Sequence, residues 1–336
     1  MCFALTSPLF PPAPRLTKKK NRMGGYYSSV SDMSTLGASI LSSTLLPPLT
    51  TRKWMKPITH TASLYTSIGA PWEILRRAIP ISNASTTTRV FDVYTKQGGG
   101  AIGSYTTLLA LSPAHNIGVS IITAGGTGAA AAFQWFKKSG VDHWLAAAEQ
   151  ASRDAALRDF GGEYTLPATG KNGNASVVQI GMVPDEPGLL MSKLVSNGTD
   201  ILGMVKGLLG LAADKRDAGM WLYPMPLVGR AFSGVELAFR GYFGLVGMKA
   251  GVDCSSWAEV DRLRYGNYPG DLAVFQSGGG GGGGGGGRGG QVSGVLLPML
   301  NERAFRKAGT SGGIFGREET GGGAGVGHLE WVRESL

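Results

Sequence analysis

Apolar and polar positions change period several times along this chain, and the changes mark out its elements. From Ser31 or Asp32, both good N-cap residues, Met33, Leu36, Ile40 and Leu41 form one apolar stripe. That spacing predicts a helix, which Leu45-Leu46-Pro47-Pro48 stops. Thr50 or Thr51 is expected to cap a second short helix through Trp54 and Met55, ended by Pro57. After Thr88 the pattern becomes β-like, with strands expected at Val90–Thr95, Ser104–Leu111 and Ile117–Ala124. A loop at Ser112–Asn116 joins the last two as a hairpin. Ala129–Phe136 reads as an alanine-rich helix, apolar nearly all round and expected to pack on the sheet. Asp142–Phe160 is a second helical stretch. Its Trp144, Ala148, Ala151 and Ala155 share a face that Leu145, Ala156 and Phe160 extend and that leaves out Leu157.

The remainder reads as β. Strands are expected at Glu163–Leu166, Ser176–Gly181, Gly188–Leu194, Met220–Pro224, Val235–Phe243, Asp271–Phe275 and Val292–Leu297. Ile201, Met204, Val205, Leu208 and Leu209 have helical spacing, and the pattern around Arg303, Ala304 and Phe305 assigns no element. The fold class is α+β, an antiparallel sheet with flanking helices followed by a mostly-β barrel or sandwich. Residues 1–23 form a Pro-rich, basic, flexible lead-in, 24–140 a first domain, 141–160 a connecting helix and 161–336 a β-rich domain with a poly-Gly loop at 278–290. A glycine run buries no apolar area and is costly to order, hence the loop assignment.

Composition narrows the function classes. The 336 residues carry a formal net charge of +9, but unevenly: residues 1–72 hold Asp32 as their one acid against eight bases. Lys18, Lys19 and Lys20 fit a solvated turn, since no zinc-finger spacing or basic stripe accompanies them, and no nucleic-acid partner is expected. No run of 18 apolar residues occurs, so no membrane partner is expected either. His60, His115, His143 and His328 are scattered and the two cysteines, Cys2 and Cys254, form no ligand cluster, so neither a metal nor another cofactor is expected. Cys2 and Cys254 could pair, but nothing requires it. The start lacks a basic n-region and is broken by prolines, which makes a poor signal peptide and leaves localisation open. Asn83, Asn174 and Asn197 each begin an acceptor pattern for N-glycosylation. A small molecule or peptide is the partner class left, and the oligomeric state is open.

The chemistry candidate is Lys96, at the end of Val-Tyr-Thr-Lys-Gln-Gly, residues 93–98. A lysine at a strand edge can bind a carboxylate, stabilise charge as an acyl-enzyme forms, or hold down the pKa of a neighbouring base. Gly98 would let a substrate approach the strand closely. None of these makes or breaks a bond without a nucleophile.

Residues 24–124 resemble the later part of the transpeptidase-like domain of serine β-lactamase-related hydrolases of the class C type. The whole chain resembles fungal secreted members with an added C-terminal β domain. The likeness is carried by Gly24-Gly25-Tyr26-Tyr27-Ser28-Ser29-Val30-Ser31-Asp32-Met33, Leu36-Gly37, Ile40-Leu41, Leu46-Pro47, Gly69-Ala70-Pro71-Trp72-Glu73, Val93–Gly98, the hairpin ending Thr123-Ala124-Gly125, and Phe160–Thr165. The resemblance implies cleavage of amide or ester bonds through an acyl-serine, using Ser-x-x-Lys, Tyr-x-Asn and a third motif, Lys-Thr-Gly or a variant. Lys96, Gln97 and Gly98 match the third, with Gln replacing the usual hydroxyl residue, and Thr95 and Lys96 would contact substrate. No Ser-x-x-Lys occurs in the chain, and Tyr265-Gly266-Asn267 follows the third motif instead of preceding it. The expectation is a fragment or divergent hydrolase, inactive alone, with a truncated gene as the simplest cause. The alternative is a non-catalytic ligand-binding or accessory protein built on the C-terminal β domain, although Trp221, Tyr223, Phe239, Phe243 and Trp257 read as core.

Overall fold

The computed structural model describes residues 2–5, 27–83, 85–99, 105–125, 127–167, 173–231, 234–247, 261–277, 292–300, 302–307 and 330–332. Most of the lead-in, the poly-Gly segment, Cys254 and Trp257 lie outside them. The chain divides into two compact units, Met1–Ala151 and Ser152–Leu336.

Unit 1 is an α+β sandwich. Its strands are β1 (Cys2–Leu5), β2 (Thr59–His60), β3 (Thr66–Ile68), β4 (Glu73–Pro80), β5 (Thr88–Gly99), β6 (Tyr105–Ser112) and β7 (Ile117–Ala124). They form one sheet in the order β1-β7-β6-β5-β4-β3-β2, antiparallel except for the β1–β7 pair. The helices are α1 (Val30–Leu41), α2 (Pro48–Trp54), α3 (Thr127–Trp135) and the first part of α4 (Val141–Phe160), whose residues from Ser152 on belong to unit 2, with a π-helical turn at Phe136–Gly140 between the last two.

Both faces of the sheet are covered, and the strand pattern shows it. Leu108 and Ala110 join Phe91, Val93, Val119 and Ile121 in a core completed by Phe133, Val141 and Leu145 from the α3–α4 side. Leu109 and Leu111 point the other way, into a core with Tyr94, Trp72, Ile74, Ile40 and Met55 on the α1–α2 side. A strand buried on both faces has no polar alternation to display, so β6 reads as a continuous apolar run.

Ser29 caps α1 reciprocally. Its Oγ accepts from Asp32 N at 3.0 Å, while Asp32 Oδ2 accepts from Ser29 N at 3.4 Å. The second helix starts at Pro48 rather than after Thr50 or Thr51, because proline suits the first helical position, where no N–H is needed. Thr51 Oγ1 instead donates backward to the Pro47 carbonyl at 3.3 Å. Arg77 on β4 grips Asp142 in the first turn of α4 through Nε (2.6 Å) and Nη2 (2.5 Å). That hydrogen bond raises the guanidinium pKa further.

The face expected on α4 needs correction. The buried row is Val141, Leu145, Glu149 and Arg153, at steps of four; Ala151 is exposed, and Leu157 packs on a core. Two members of that row are charged, which hides it from hydropathy.

Unit 2 contains β8 (Gly162–Leu166), β9 (Ser176–Gly181), β10 (Leu189–Ser196), β11 (Thr199–Asp200), α5 (Ile201–Leu208), β12 (Ala218–Ala231), β13 (Gly234–Leu245), β14 (Arg264–Tyr265), β15 (Tyr268–Pro269), β16 (Leu272–Ser277), β17 (Val292–Leu297), β18 (Glu302–Arg306) and β19 (Glu330–Val332). The main path runs β10-β12-β13-β16-β17-β18-β8-β9, and β9 pairs back with β10, so the sheet closes on itself as a near-barrel. Its interior is filled by Tyr164, Val178, Ile180, Met191, Met220 and Phe275, all at or near zero exposure. Phe160, Phe239 and Phe275 stack edge to face at 5.0–5.1 Å. Tyr164 donates its hydroxyl to the Phe160 carbonyl at 2.7 Å, and burial drives the phenol pKa well above normal. Arg306 closes the C-terminal end of α4, donating to the carbonyls of Arg158 (3.0 Å), Asp159 (3.1 Å) and Gly161 (2.5 Å).

Candidate functional site

Lys96 lies toward the end of β5, in antiparallel register with Leu109 of β6, while Thr95 lies opposite Glu73 of β4. A tight turn sets up the β4 side. Gly69 N donates to the Trp72 carbonyl at 2.8 Å, and a Cβ at Gly69 would lie 3.2 Å from Trp72 Cβ. The turn delivers Trp72 into the core and Glu73 to the β5 border. Thr95 Oγ1 then donates to the Glu73 carbonyl at 2.7 Å, so this hydroxyl fastens two strands.

Glu73 organises the side chains around it. Lys96 Nζ lies 3.5 Å from its Oε1, with Lys96 48% and Glu73 45% exposed at the side chain, and Gln97 Nε2 donates to Oε2. The amide at position 97 thus has a defined task, a hydrogen bond to the carboxylate that also faces the lysine. Glu73 was not expected from sequence, although it closes the Gly-Ala-Pro-Trp-Glu stretch. At Gly98, a Cβ would meet Thr107 Oγ1 at 2.8 Å, so the neighbouring strand gives a reason for glycine there.

Beside this group opens a cavity of about 690 Å³. Met33, Leu36, Ile40, Leu46, Trp54 and Trp72 give it an apolar wall, with Lys96, Gln97 and Gly98 along one side. Three hydroxyl residues also line it: Ser39, Thr51 and Thr107. Ser39 donates to the Thr35 carbonyl at 2.8 Å and Thr51 to the Pro47 carbonyl, so both hydroxyl protons are committed. None of the three is given a His or carboxylate partner by the geometry. The arrangement can bind and position an acyl compound and offer it an ammonium donor, but among the described residues it presents no activated nucleophile.

Tyr265 ends β14 and Gly266-Asn267 make the two-residue turn to β15, with Gly266 at φ 59°. Among the described residues no cluster of His, Cys, Asp or Glu could hold a metal ion, and no helix is long and apolar enough to cross a membrane. Asn83, Asn174 and Asn197 are exposed; Asn197 Oδ1 accepts from Asn174 N at 2.8 Å, bringing two acceptor sites side by side.

A constellation that sequence reading missed lies elsewhere in unit 1. Ser112 Oγ is 2.9 Å from His115 Nδ1, and His115 Nε2 is 3.0 Å from Glu149 Oε2. The order hydroxyl–imidazole–carboxylate is that of an activated nucleophile. Yet Ser112 is 0% exposed, the His115 side chain 2% and Glu149 8%, and Phe91 lies against the imidazole at 4.5 Å. No substrate reaches this serine. The chain of hydrogen bonds fastens α4 to the β6–β7 loop.

Comparison with known proteins places these observations. Residues 151–308 match the family "Beta-lactamase-like-like, C-terminal domain", which covers most of unit 2. The chain is 28% identical over 306 residues to a "Beta-lactamase-like protein" of Arthroderma benhamiae, covering 84% of this chain and 49% of the relative. It is 26% identical over 200 residues to "Probable hydrolase clz13" of Cochliobolus lunatus, covering 59% and 30%. It is 26% identical over 264 residues to "Beta-lactamase-like protein str6" of Strobilurus tenacellus, covering 76% and 77%. The chain therefore spans half or less of the first two relatives. No solved structure matches.

Proposed function

From its relation to fungal β-lactamase-like hydrolases, we propose that this chain carries one wall of an acyl-serine hydrolase site together with an accessory β unit, and that it turns over no substrate by itself. The observation that carries this reading is the Lys96–Gln97–Gly98 edge beside an apolar cavity, with no nucleophile activated there among the described residues. Lys96, its charge balanced by Glu73, would donate a hydrogen bond to the acyl carbonyl, and Gln97 would hold Glu73 in place. The serine and its proton acceptor would come from a segment bearing Ser-x-x-Lys and Tyr-x-Asn. Neither a Ser-x-x-Lys nor a Tyr-x-Asn ahead of Lys96 occurs in these residues. Ligand binding inside the β unit is the weaker reading, because its interior is filled by Tyr164, Met191, Met220 and Phe275.

The test is covalent. A fluorescent β-lactam or fluorophosphonate should leave this polypeptide unlabelled, and label on any serine of it would overturn the claim of inactivity. Co-expression with a β-lactamase-like segment carrying the two absent motifs should restore ester hydrolysis, and Lys96→Ala should remove at least about tenfold of the restored kcat/KM. Undiminished turnover in Lys96→Ala would remove Lys96 from the site.

A further inference from the structure

We infer that the cavity beside Lys96 selects an uncharged, largely apolar acyl group, so that the substrate class is a neutral ester or amide of a hydrophobic acid and not a molecule anchored by its carboxylate. The inference rests on the reading above and names the substrate of the same site. It begins with size. At about 30 Å³ per water-sized group, a cavity of about 690 Å³ accommodates on the order of twenty heavy atoms, within the range of small-molecule sites. Its wall is aliphatic and aromatic, from Met33, Leu36, Ile40, Leu46, Trp54 and Trp72. Such a wall rewards an apolar chain in proportion to the area removed from water.

Charge decides the rest. Lys96, the cation among the described residues of the cavity's wall, already faces Glu73 at 3.5 Å, and the Gln97 amide donates to the same carboxylate. The pair sums to zero formal charge. An entering anion would have to compete with Glu73 for the ammonium while being repelled by it. It would also leave water for an apolar wall, where an ion without its own partner is strongly disfavoured. The lining hydroxyls offer little relief, since Ser39 and Thr51 each donate to a backbone carbonyl and the third, Thr107, carries no charge to balance an anion. A neutral carbonyl escapes both penalties.

The experiment uses this chain and needs no catalysis. Methyl decanoate and decanoate, which share one acyl chain, are titrated separately at low salt, and tryptophan emission is read, since Trp54 and Trp72 line the cavity. The ester should bind at least about tenfold more tightly than the anion. Glu73→Gln should strengthen the anion by about threefold to tenfold and leave the ester within about twofold, as expected for removal of one half-exposed negative charge. Leu36→Trp fills the cavity from a partly exposed helix position, 40% accessible, and should weaken the ester by about tenfold without loss of the folded state. Decanoate binding as tightly as the ester would overturn the inference. So would an anion affinity unchanged by Glu73→Gln, or ester binding unchanged by Leu36→Trp in a protein that melts normally. If the ester binds as expected but no segment restores hydrolysis, the hydrolase reading fails and the selectivity stands. If hydrolysis is restored but decanoate is preferred over the ester, the hydrolase reading stands and the selectivity fails.

Discussion

Replacing Glu149 by alanine removes the carboxylate that accepts from His115 Nε2 at 3.0 Å inside unit 1. A carboxylate only accepts, so it fixes the proton on Nε2; in the neutral ring Nδ1 then accepts from the Ser112 hydroxyl, 2.9 Å away. The mutation strands an imidazole N–H in a site where the His115 side chain is 2% exposed. An unsatisfied buried donor costs about 1–3 kcal/mol. Truncation also removes one methylene of packing beyond Cβ, about 0.8 kcal/mol. The sum is about 3 kcal/mol, a large share of the roughly 5–15 kcal/mol by which a domain is normally stable. Glu149→Gln keeps an acceptor and should cost about 1 kcal/mol. The assay is urea unfolding, with hydrogen exchange of the β6–β7 amides identifying the unit that loosens. A double-mutant cycle with His115→Ala should show coupling of at least about 1 kcal/mol, because each single change already breaks the shared contact. A Glu149→Ala loss below about 1 kcal/mol, or additive effects in the cycle, would refute the reasoning that this chain of hydrogen bonds is a buried tie. Fluorophosphonate labelling of Ser112 in the native protein would refute it from the other side.

Further outcomes follow from unit 2. The Arg240 hydrogen bond holds the Asp261 carboxyl below its ordinary 3.8. A depressed folded-state pKa contributes stability that is complete above the unfolded value and lost as pH falls through the folded one. The melting difference between native protein and Asp261→Asn should therefore persist above pH 3.8 and fade below it; a difference that grows in acid would contradict the sign. Gly241→Ala should cost about 1–3 kcal/mol, since its Cβ would lie 2.5 Å from Met220 Cγ in a fully buried site, and Met220→Ala should absorb much of that cost in a thermal melt. Tyr164→Phe should cost about 1 kcal/mol in urea unfolding, for the hydrogen bond lost to the Phe160 carbonyl.

Much of the architecture was legible where the pattern had one cause. Ile117–Ala124, Ser176–Gly181 and Val292–Leu297 fall where periodicity and turn residues put them. The α1 helix and the helical spacing at Ile201 were equally readable, although the cap proved to be Ser29 and not Ser31 or Asp32. Reading failed where charge and burial coincide. Glu149 and Arg153 occupy the buried row of α4 because His115 and the carbonyls of Val183 and Glu186 await them, and hydropathy registers neither. The strand β4 escaped for a related reason. Its Arg76 and Arg77 interrupt the apolar pattern, and each is paired with an acid, Asp92 and Asp142, that lies far off in sequence. At the candidate site, motif likeness pointed to Lys96 and Gln97, but Glu73, which pairs with one and accepts from the other, is joined to them only by strand register.

The guanidinium of Arg306, set on three carbonyls at the end of α4, has a consequence for synthesis. Its partners, Arg158, Asp159 and Gly161, leave the ribosome almost 150 residues earlier, by the 145–148 separation of these contacts. The strand that carries it is also the one that seals the closed sheet between β17 and β8. Until residue 306 emerges, the nascent β unit has an open helix end and two unpaired edges, at β17 and β8, ready to pair with a neighbouring chain. The sheet therefore closes late, after translation has passed the glycine run at 278–290, and β19 adds to β18 later still. A polysome that stalls before that point would expose an unclosed sheet, a natural client for a ribosome-associated chaperone.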